Sequence, residues 1–426
     1  MKLKGYRKTM IMLALVLLVP PSGSFVAGNQ QLIAPPLAAT SANEVGSSVV
    51  FRVLGNVYPI GYYYVEINIG SLSTPYYLDI DTGSDLTWLH CDAPCEDCPK
   101  TPHPLYQLKK DSLVPCTESV CTSLHSNICD KPTDHECHYE IEYADQGASQ
   151  GALVKDVIPI CLANGTVYGS LLAIGCGYDQ QGSNGTTSQT DGLLGLGKGK
   201  ASFASQLQSL GLVQNVIAHC FSSNGGGFLS IGEHPVPSSG VVWTPMSRNS
   251  LFDESYYSPA GSTELYLGKQ YIGVMDLQVI FDSGSSYSYF SSQAYTPLIS
   301  SMMKDLAGKP LNITKEDNTL PICWSGAKPF TSFDDFKNYF SPVRLRIKNG
   351  WMSQVQVMEI PPESYMIVSR PHGNACLGIL NGSEVELDDN IIGDNFFQDR
   401  MVIYDNEQQR IGWAPADCNK ISGLFN

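Results

Sequence analysis

The residues that could do chemistry in this chain occur in two copies of one short pattern. The two copies read Asp81-Thr82-Gly83-Ser84 and Asp282-Ser283-Gly284-Ser285. Two facing carboxyl groups that share one proton can activate a water molecule without a metal, because one accepts a proton while the other donates one. The repeated pattern therefore predicts a catalytic pair, Asp81 and Asp282, that needs neither a metal ion nor a cofactor.

The other residues of each copy have predictable supporting roles. The glycine permits a sharp turn and offers its backbone N–H to the carboxylate. The Thr or Ser after each aspartate can hydrogen-bond to the other copy, and the final serine can orient an outer carboxylate oxygen. The residues concerned are Thr82, Gly83, Ser84, Ser283, Gly284 and Ser285.

Matching elements surround the two copies. Apolar, strand-like runs at 77–80 and 279–281 lead into the two aspartates. Two hydrophobic residues followed by glycine come later, at 193–195 and 391–393, at nearly the same distance from each aspartate. This repeat predicts two homologous halves that each deliver one carboxylate to a shared site. We expect the halves to meet in the stretch 224–239, which is rich in Gly, Pro and Ser.

The local patterns predict a mostly β, all-β class with few short helices. Short alternating or apolar runs indicate strands at 62–69, 241–243, 343–347 and 401–404. With 39 Gly and 26 Pro, the chain is rich in turns. The best helical patterns are 201–212 and 292–306.

Composition and charge indicate a folded protein and argue against one class of binding partner. The chain has 426 residues, 43% of them hydrophobic, and a formal net charge of −15. These values are typical of a folded protein with a large core. The lack of a Lys/Arg-rich patch argues against nucleic acid as a partner.

The first residues resemble a targeting segment. A basic start is followed by an apolar run at 10–19 that is too short to cross a bilayer. We interpret residues 1–27 as a signal peptide and 28–48 as a pro-segment or linker, followed by lobes at 49–230 and 240–426. We therefore expect a protein of the secretory pathway without a membrane anchor.

The cysteines and glycosylation sequons fit that route. Thirteen cysteines in a secreted chain indicate disulfides, and the odd total leaves at least one thiol without an intrachain partner. The spacing of Cys91, Cys95 and Cys98 is also compatible with zinc, although an oxidising compartment favours disulfides. Candidate glycosylation sites are Asn164, Asn184, Asn312 and Asn381.

Several segments together give the chain a family resemblance. They are 81–88, 139–147, 175–180, 281–286 and 401–406. Through them the chain resembles the pepsin-like aspartic proteases, and more closely the nucellin-like group of plants, from about residue 49 to residue 418. The resemblance implies an endopeptidase with two β-barrel-like lobes related by a pseudo-twofold axis around a substrate cleft.

The resemblance also implies how the site works. Tyr143 would lie on a hairpin flap over the cleft, and Trp88 would hydrogen-bond to it. Activity would peak at acidic pH, with a preference for apolar side chains at the scissile bond. The partners would be protein or peptide substrates and the protein would be a monomer, while the apoplast, the vacuole and another compartment of the secretory pathway all remain open as its destination.

Disulfide pairing is implied only by the same resemblance. The implied pairs are Cys91–Cys95, Cys98–Cys176, Cys116–Cys137, Cys121–Cys129, Cys220–Cys418 and Cys323–Cys376. Cys161 is left over, and we expect it to be buried and inert.

Two other functions compete with peptide hydrolysis. A catalytically silent relative could use the same cleft to bind proteins or glycans, although such chains typically lack part of the two motifs. A serine hydrolase could use Ser149, because 147–151 matches Gly-x-Ser-x-Gly. That motif needs a helix after the serine, whereas 152–159 predicts a strand.

Overall fold

The computed structural model describes most of the chain after residue 47. The described residues are 48–92, 99–124, 127–129, 135–143, 147–181, 188–232, 237, 239–247, 256–349, 355–387 and 389–420. They lie within one compact unit, Val45–Asn426. The predicted signal peptide and nearly all of the predicted pro-segment or linker lie outside the described residues.

Most of the regular structure is β-strand. In chain order the strands are β1 (Val49–Asn56), β2 (Tyr62–Ile69), β3 (Thr74–Asp81), β4 (Trp88–His90), β5 (Asn127–Ile128), β6 (His138–Glu142), β7 (Ala148–Cys161), β8 (Val167–Gln181), β9 (Gly192–Gly195), β10 (Val216–Phe221), β11 (Gly227–Ile231), β12 (Val242–Pro245), β13 (Ser262–Leu267), β14 (Gln270–Tyr271), β15 (Val279–Phe281), β16 (Ser288–Phe290), β17 (Asn312–Thr314), β18 (Cys323–Ser325), β19 (Val343–Lys348), β20 (Val355–Ile360), β21 (Met366–Val368), β22 (Ala375–Leu377), β23 (Ile379–Asn381), β24 (Asn390–Ile392), β25 (Arg400–Asp405) and β26 (Arg410–Pro415). The four predicted strands coincide with β2, β12, β19 and β25 to within two residues at each end.

The helices are few and short. They are α1 (Ser119–Thr122), α2 (Phe203–Ser209), α3 (Ser292–Leu306), α4 (Pro362–Tyr365) and α5 (Asp394–Phe397), with 3-10 turns at Lys110–Ser112, Phe333–Asp335, Lys337–Tyr339 and Gly382–Val385. Helix α3 matches its prediction, whereas α2 begins later than predicted because Ser202 caps it by accepting a hydrogen bond from the Ser205 N–H. Within the described ranges, no helix has the length and apolarity that a bilayer crossing requires.

The strands form one long sheet and three small ones. The long sheet has the order β12-β26-β25-β10-β11-β1-β2-β3-β9-β4-β8-β7-β6-β5. The small sheets have the orders β14-β13-β19-β20, β15-β24-β16-β23 and β17-β18-β22-β21. The molecule is therefore all-β and two-lobed, as the sequence predicts.

One four-strand unit occurs twice, once in each half. In the first half, β9 lies between β3 and β4, parallel to β3 and antiparallel to β4, and β4 runs parallel to β8. In the second half, β24 lies between β15 and β16 with the same directions, and β16 runs parallel to β23. The two hydrophobic-hydrophobic-glycine runs supply β9 and the end of β24, so the repeat read from the sequence is a repeat of structure.

The long sheet also joins the two halves. Strand β10 pairs with β11 on one side and with β25 on the other, and β25 continues to β26 and β12. Residues 224–226 form the turn of the β10–β11 hairpin, and β11 still pairs with β1. The expected junction at 224–239 therefore begins too early, because the Gly-rich stretch at its start is a hairpin turn.

Alternating burial determines which side of β3 reaches the site. Tyr76, Leu78 and Ile80 are buried in the main core. Because successive side chains of a strand point to opposite faces, Asp79 and Asp81 share the other face. The same core continues into the second half, where Val279 and Phe281 of β15 are buried in it.

Five disulfides join described cysteines, and they correct several expected pairings. Cys220–Cys418 and Cys323–Cys376 form as implied. Cys91 bonds to Cys176, so the pairs Cys91–Cys95 and Cys98–Cys176 are wrong. The reason is that β4 and β8 are parallel neighbours, which places Cys91 and Cys176 5.1 Å apart at their Cα atoms. Cys95 and Cys98 lie outside the described residues.

The insert between β4 and β6 holds the other correction. Its disulfides are Cys116–Cys129 and Cys121–Cys137, not Cys116–Cys137 and Cys121–Cys129. The sulfurs of Cys121 and Cys129 lie 3.5 Å apart although they are not bonded to each other. Four sulfurs packed this closely allow more than one pairing, so chain spacing could not distinguish them.

Cys161 is the free cysteine of the described residues. It is exposed, so the expectation that it is buried is wrong. The residue ends β7, and its side chain has a weak polar contact with the Leu162 carbonyl.

Candidate active site

The first aspartate is held by the turn that follows it. Asp81 ends β3, and the Gly83 N–H donates to its Oδ1 at 2.7 Å while the Ser84 hydroxyl donates to its Oδ2. The backbone carbonyl of Asp81 accepts a 2.7 Å hydrogen bond from the Leu196 N–H. Both carboxylate oxygens thus have donors, and the side chain has one orientation.

The second aspartate is held in nearly the same way. Asp282 follows β15, its N–H donates to the Ile392 carbonyl at 3.0 Å, and the Gly284 N–H donates to its Oδ1 at 2.9 Å. The Ser285 hydroxyl donates to the Tyr287 carbonyl at 3.2 Å. The expected bond from Ser285 to the Asp282 carboxylate is therefore replaced by a local bond to the backbone.

The residues after the two aspartates lock the loops together. The Thr82 N–H donates to the Ser283 hydroxyl at 3.1 Å, and the Ser283 N–H donates to the Thr82 hydroxyl at 3.0 Å. Each hydroxyl also donates to a backbone carbonyl of the other loop, Thr82 to Phe281 and Ser283 to Ile80. This symmetric set is buried, so its loss would leave polar groups unpaired.

The two carboxyl groups face each other across this lock. They interact electrostatically, and each lies over the glycine of the opposite loop. A Cβ on Gly83 would lie 2.5 Å from Asp282 Oδ1, and one on Gly284 would lie 2.6 Å from Asp81 Oδ1. Glycine is required at both positions because any side chain would push the carboxyl groups apart.

Burial and mutual repulsion determine how the pair titrates. Burial raises the pKa of Asp81 above its usual range. Burial, together with the charge of Asp81, raises the pKa of Asp282 well above it. Since two adjacent carboxylates in a poorly solvated site resist double ionisation, the arrangement favours one shared proton.

A hairpin carries the predicted flap tyrosine. Strands β6 and β7 pair antiparallel up to Glu142 and Ala148, and the Tyr143 N–H donates to the Gly147 carbonyl at 2.7 Å. The Trp88 indole N–H donates to the Tyr143 hydroxyl at 2.6 Å. The hydrogen bond implied by the family resemblance is therefore present. Residues 144–146 lie outside the described residues.

Two further aspartates lie close to the pair, and sequence reasoning did not single them out. Asp79 and Asp394 interact electrostatically with both Asp81 and Asp282, and burial raises the pKa of each well above its usual range. Asp394 is buried, and neither of its carboxyl oxygens has a hydrogen-bond partner among the described residues. The position of Asp79, two residues before Asp81 in a strand, is the signal that could have found it.

The structure describes three of the four predicted glycosylation sites. Asn164 and Asn312 are exposed, as a glycosylation site must be. Asn381 is half-buried, and its side-chain nitrogen donates to Glu384 at 3.0 Å. Asn184 lies outside the described residues.

Ser149 is not placed as a nucleophile. It is fully buried inside β7, and its hydroxyl lies 3.2 Å from the Tyr139 hydroxyl. No strand-to-helix turn follows it, since β7 continues to Cys161. The elbow geometry that the Gly-x-Ser-x-Gly motif requires is thus absent at this described position.

Two groups of side chains are close enough to be considered for a metal. They are Cys116, Cys121 and Cys129, and Asp317, Cys323 and Cys376. Every cysteine in them belongs to a disulfide, so neither group offers a thiolate.

Comparison with known proteins agrees with this geometry. Residues 63–233 match the family model described as xylanase inhibitor N-terminal, and residues 272–415 match the one described as xylanase inhibitor C-terminal. Among solved structures, basic 7S globulin from soybean superposes with a TM-score of 0.67 at 16% identity, covering 89% of this chain and 99% of that one. This likeness establishes the fold.

Curated relatives are nearer in sequence. An aspartic proteinase of rice (Oryza sativa subsp. japonica) is 41% identical over 388 residues, which cover 88% of this chain and 92% of the relative. Aspartic proteinase 36 of Arabidopsis thaliana is 30% identical over 84% of this chain and 75% of its own length. The chain therefore belongs to the pepsin-like aspartic proteases of plants, and it is an aspartic-type endopeptidase.

Proposed function

We propose that the protein hydrolyses peptide bonds with a water molecule held between Asp81 and Asp282. One carboxylate takes a proton from the water as it attacks the peptide carbonyl, and the other carboxyl group donates a proton to the carbonyl oxygen. The tetrahedral intermediate collapses when the amide nitrogen is protonated. Because the two groups titrate as a pair, we assign the acid and base roles jointly.

One observation carries this proposal. Each carboxyl group lies beside the glycine of the opposite loop, and each receives a backbone N–H from its own loop. A pair with only a structural role would not need the cross-loop lock of Thr82 and Ser283 to keep it symmetric. The geometry suits a small reactant, such as water, bound equally by both carboxyl groups.

The pair also supports an acidic pH optimum. The mechanism needs one proton on the pair, and activity falls once that proton is lost. Because the pKa of Asp282 is raised well above its usual range, the singly protonated state extends upward in pH. We expect kcat/KM to be greatest below neutral pH and to fall as pH rises.

The flap supports a preference for apolar side chains beside the scissile bond. Trp88 and Tyr143 belong to one apolar cluster, which also contains Leu86 and Leu193. A substrate side chain that enters under the flap gains by leaving water for these surfaces.

A silent, inhibitor-like binding protein is the second candidate, because the two matching family models are described as xylanase inhibitor domains. All eight residues of the two motifs are present in this chain, and their loops make the hydrogen bonds described above. These features favour a catalytic function over a function limited to binding other proteins.

Cleavage of a denatured protein at acidic pH tests these functions against each other. We expect cleavage that pepstatin blocks and that Asp81→Asn reduces by about a thousandfold or more, since a general acid–base group contributes at least this order in favourable cases. Asp276→Asn, which removes an exposed aspartate, should retain activity. Unchanged activity in Asp81→Asn would refute the mechanism, and inhibition by a fluorophosphonate would instead support a serine hydrolase.

We also propose that the protein is a secreted or vacuolar monomer. The signal-like residues 1–27, the exposed sequons at Asn164 and Asn312 and the five disulfides support passage through an oxidising compartment. N-terminal sequencing of the protein recovered from plant cells would locate the cleavage sites, and light scattering would give the mass of the particle. A protein that retains Met1 and stays in the cytosol would contradict the proposal.

A further inference from the structure

Asp79 lies on the face of β3 that leads to the catalytic pair. Leu78 and Ile80 point into the core, so Asp79 and Asp81 share the opposite face two residues apart. In the sheet, Asp79 lies opposite Tyr64 of β2 and Leu193 of β9. An acidic side chain is therefore built into the surface directly beside Asp81.

The surroundings of Asp79 are aromatic. Tyr64 is its cross-strand neighbour, and the Tyr62 ring is close enough for the two side chains to interact electrostatically. The ring of Tyr77 lies 5.1 Å from that of Tyr64. These three tyrosines are half-buried, so their rings remain partly available to a bound chain.

Apart from the Ile80 backbone N–H, the Asp79 carboxyl group has no hydrogen-bond partner among the described residues. The side chain is half-buried, and its Oδ1 is shielded from solvent without a hydrogen bond among the described residues. No lysine, arginine or histidine in those ranges makes an ion pair with it. Because most buried polar groups in native proteins are hydrogen-bonded, the unpaired oxygen of Asp79 calls for an explanation.

The charged groups that act on Asp79 from the described part of the chain are acidic. Asp81 lies on its own strand, Asp282 on the opposite loop and Asp394 on α5. The neighbouring strand β2 adds Tyr62 and Tyr64, and Leu193 of β9 has no charge. A cation that enters this surface would therefore meet several acidic groups.

We propose that Asp79 forms the acidic end of a substrate subsite that accepts a lysine or arginine side chain next to the scissile bond. This inference rests on the proposed function, since it concerns the same cleft. The aliphatic stem of the basic residue would lie along the tyrosine rings, and its charged head would donate to the carboxyl group of Asp79. Apolar residues would then be favoured on only one side of the cleaved bond.

The subsite has a pH signature. Burial raises the pKa of Asp79 well above its usual range, so the empty subsite is neutral in acid. A bound cation favours the ionised carboxylate, so binding of a basic side chain is coupled to loss of a proton. The preference for a basic residue over a neutral one should therefore increase as pH rises towards neutrality.

Matched peptides test the subsite. The bond cut in a leucine-containing peptide is first located by mass spectrometry. Lysine, ε-acetyl-lysine or leucine is then placed at each of the two positions flanking that bond. We expect lysine to exceed ε-acetyl-lysine in kcat/KM by about tenfold at one of the two positions, as for a hydrogen bond to a charged group.

Two variants complete the experiment. Asp79→Asn keeps the shape and removes the charge, so it should abolish the preference for lysine and its pH dependence while leucine peptides are still cut. Glu66→Gln removes an exposed carboxylate from the face of β2 that also carries Tyr64, and it should leave the preference for lysine unchanged.

Each other outcome overturns the inference. Equal rates for lysine and ε-acetyl-lysine peptides in the wild-type protein refute it, even if Asp79→Asn does not fold. If the preference for lysine persists in Asp79→Asn, or if this variant only shifts the pH optimum, Asp79 has another role and the inference is wrong. If the wild-type protein cuts none of the peptides or denatured proteins, the proposed function itself fails.

Discussion

At the scale of single residues, the site depends on hydrogen bonds that cross from one half of the chain to the other. The backbone N–H of Thr82 and that of Ser283 each donate to the hydroxyl of the other residue. Each hydroxyl in turn donates to a backbone carbonyl of the opposite loop. The carboxyl groups of Asp81 and Asp282 meet because these bonds fix both loops. The neutral side chains of Thr82 and Ser283 therefore hold the two loops in place, and the carboxyl groups of Asp81 and Asp282 are not needed for that purpose.

Replacing one member of the lock should destabilise the protein. Thr82→Val retains the shape but leaves the Ser283 N–H without its acceptor, at a cost of about 1–3 kcal/mol for an unpaired buried group. Ser283→Ala should cost a similar amount. Thermal unfolding measures both, and the double variant should lose less than the sum because the two residues share their bonds. Fully additive losses would contradict the shared lock.

Removing the flap hydrogen bond should reduce activity without unfolding the protein. Tyr143→Phe keeps the ring but leaves the Trp88 N–H without its acceptor. Because one net hydrogen bond contributes about 1 kcal/mol, we expect kcat/KM to fall about fivefold to tenfold. The melting temperature should change little, and Tyr271→Phe, at an exposed tyrosine, should match the wild type in both assays. Equal activity in the two variants would argue against a role for the flap bond.

At this scale the sequence predicts most of the site but not all of it. The residues of the two motifs could be read directly, because the same four-residue pattern occurs twice, whereas the Trp88–Tyr143 pair followed only from the family resemblance. Ser285 could not, since a serine next to a carboxylate can also bond to the backbone nearby. Asp394 could not either, because its burial depends on packing against distant residues.

At the scale of elements, each aspartate-bearing loop has a neighbouring strand with a glycine at or directly after its end. Gly195 closes β9 against the Asp85 backbone, and Gly393 follows β24 against the carbonyls of Ser285 and Tyr287. These close approaches explain why both halves of the sequence have glycine after two hydrophobic residues. The spacing of the glycines could be predicted from the sequence because it reflects a repeated unit of four strands.

Alanine at either glycine should disrupt the site. A Cβ would lie 2.4 Å from the Asp85 carbonyl carbon at position 195 and 2.3 Å from the Ser285 carbonyl oxygen at position 393. Because rigid backbone must move to relieve such contacts, Gly195→Ala and Gly393→Ala should lose about 2 kcal/mol or more of stability and most activity. Gly169→Ala, whose Cβ would make only an ordinary contact at 3.5 Å, is the control. A wild-type melting temperature in Gly393→Ala would contradict this reading.

The disulfides were less predictable than the strands. Pairing depends on which sulfurs meet in the folded chain, and Cys91 meets Cys176 only because β4 and β8 are parallel neighbours. The exposure of Cys161 likewise depends on what covers the end of β7. Neither property is encoded in the spacing of cysteines along the chain.

At the scale of the whole molecule, the fold brings four acidic side chains together in a poorly solvated region. Asp79, Asp81, Asp282 and Asp394 are coupled through their charges, and burial raises the pKa of each. A carboxyl group with a raised pKa in the folded state stabilises that state below the usual aspartate range, where it is protonated in both states. This contribution is lost as pH rises through the folded-state pKa.

Asp394→Asn should therefore become relatively more stable as pH rises. Each unit by which folding raises the pKa of Asp394 corresponds to about 1.4 kcal/mol of stability lost at high pH. We expect the difference in melting temperature, variant minus wild type, to increase from pH 4 to pH 8. Asp276→Asn, which removes an exposed charge, should show a nearly constant difference. A constant difference for Asp394→Asn as well would mean that Asp394 is not held protonated.

The sheet that joins the two halves has a consequence for how cells make this protease. Strand β10 gains β25 as a neighbour only after nearly the whole chain has left the ribosome. Until then Thr82 has no Ser283 to bond with, and the second carboxyl group is not in place. A half-synthesised chain thus lacks the assembled pair of carboxyl groups, so any activity that depends on the pair begins only when synthesis is nearly complete.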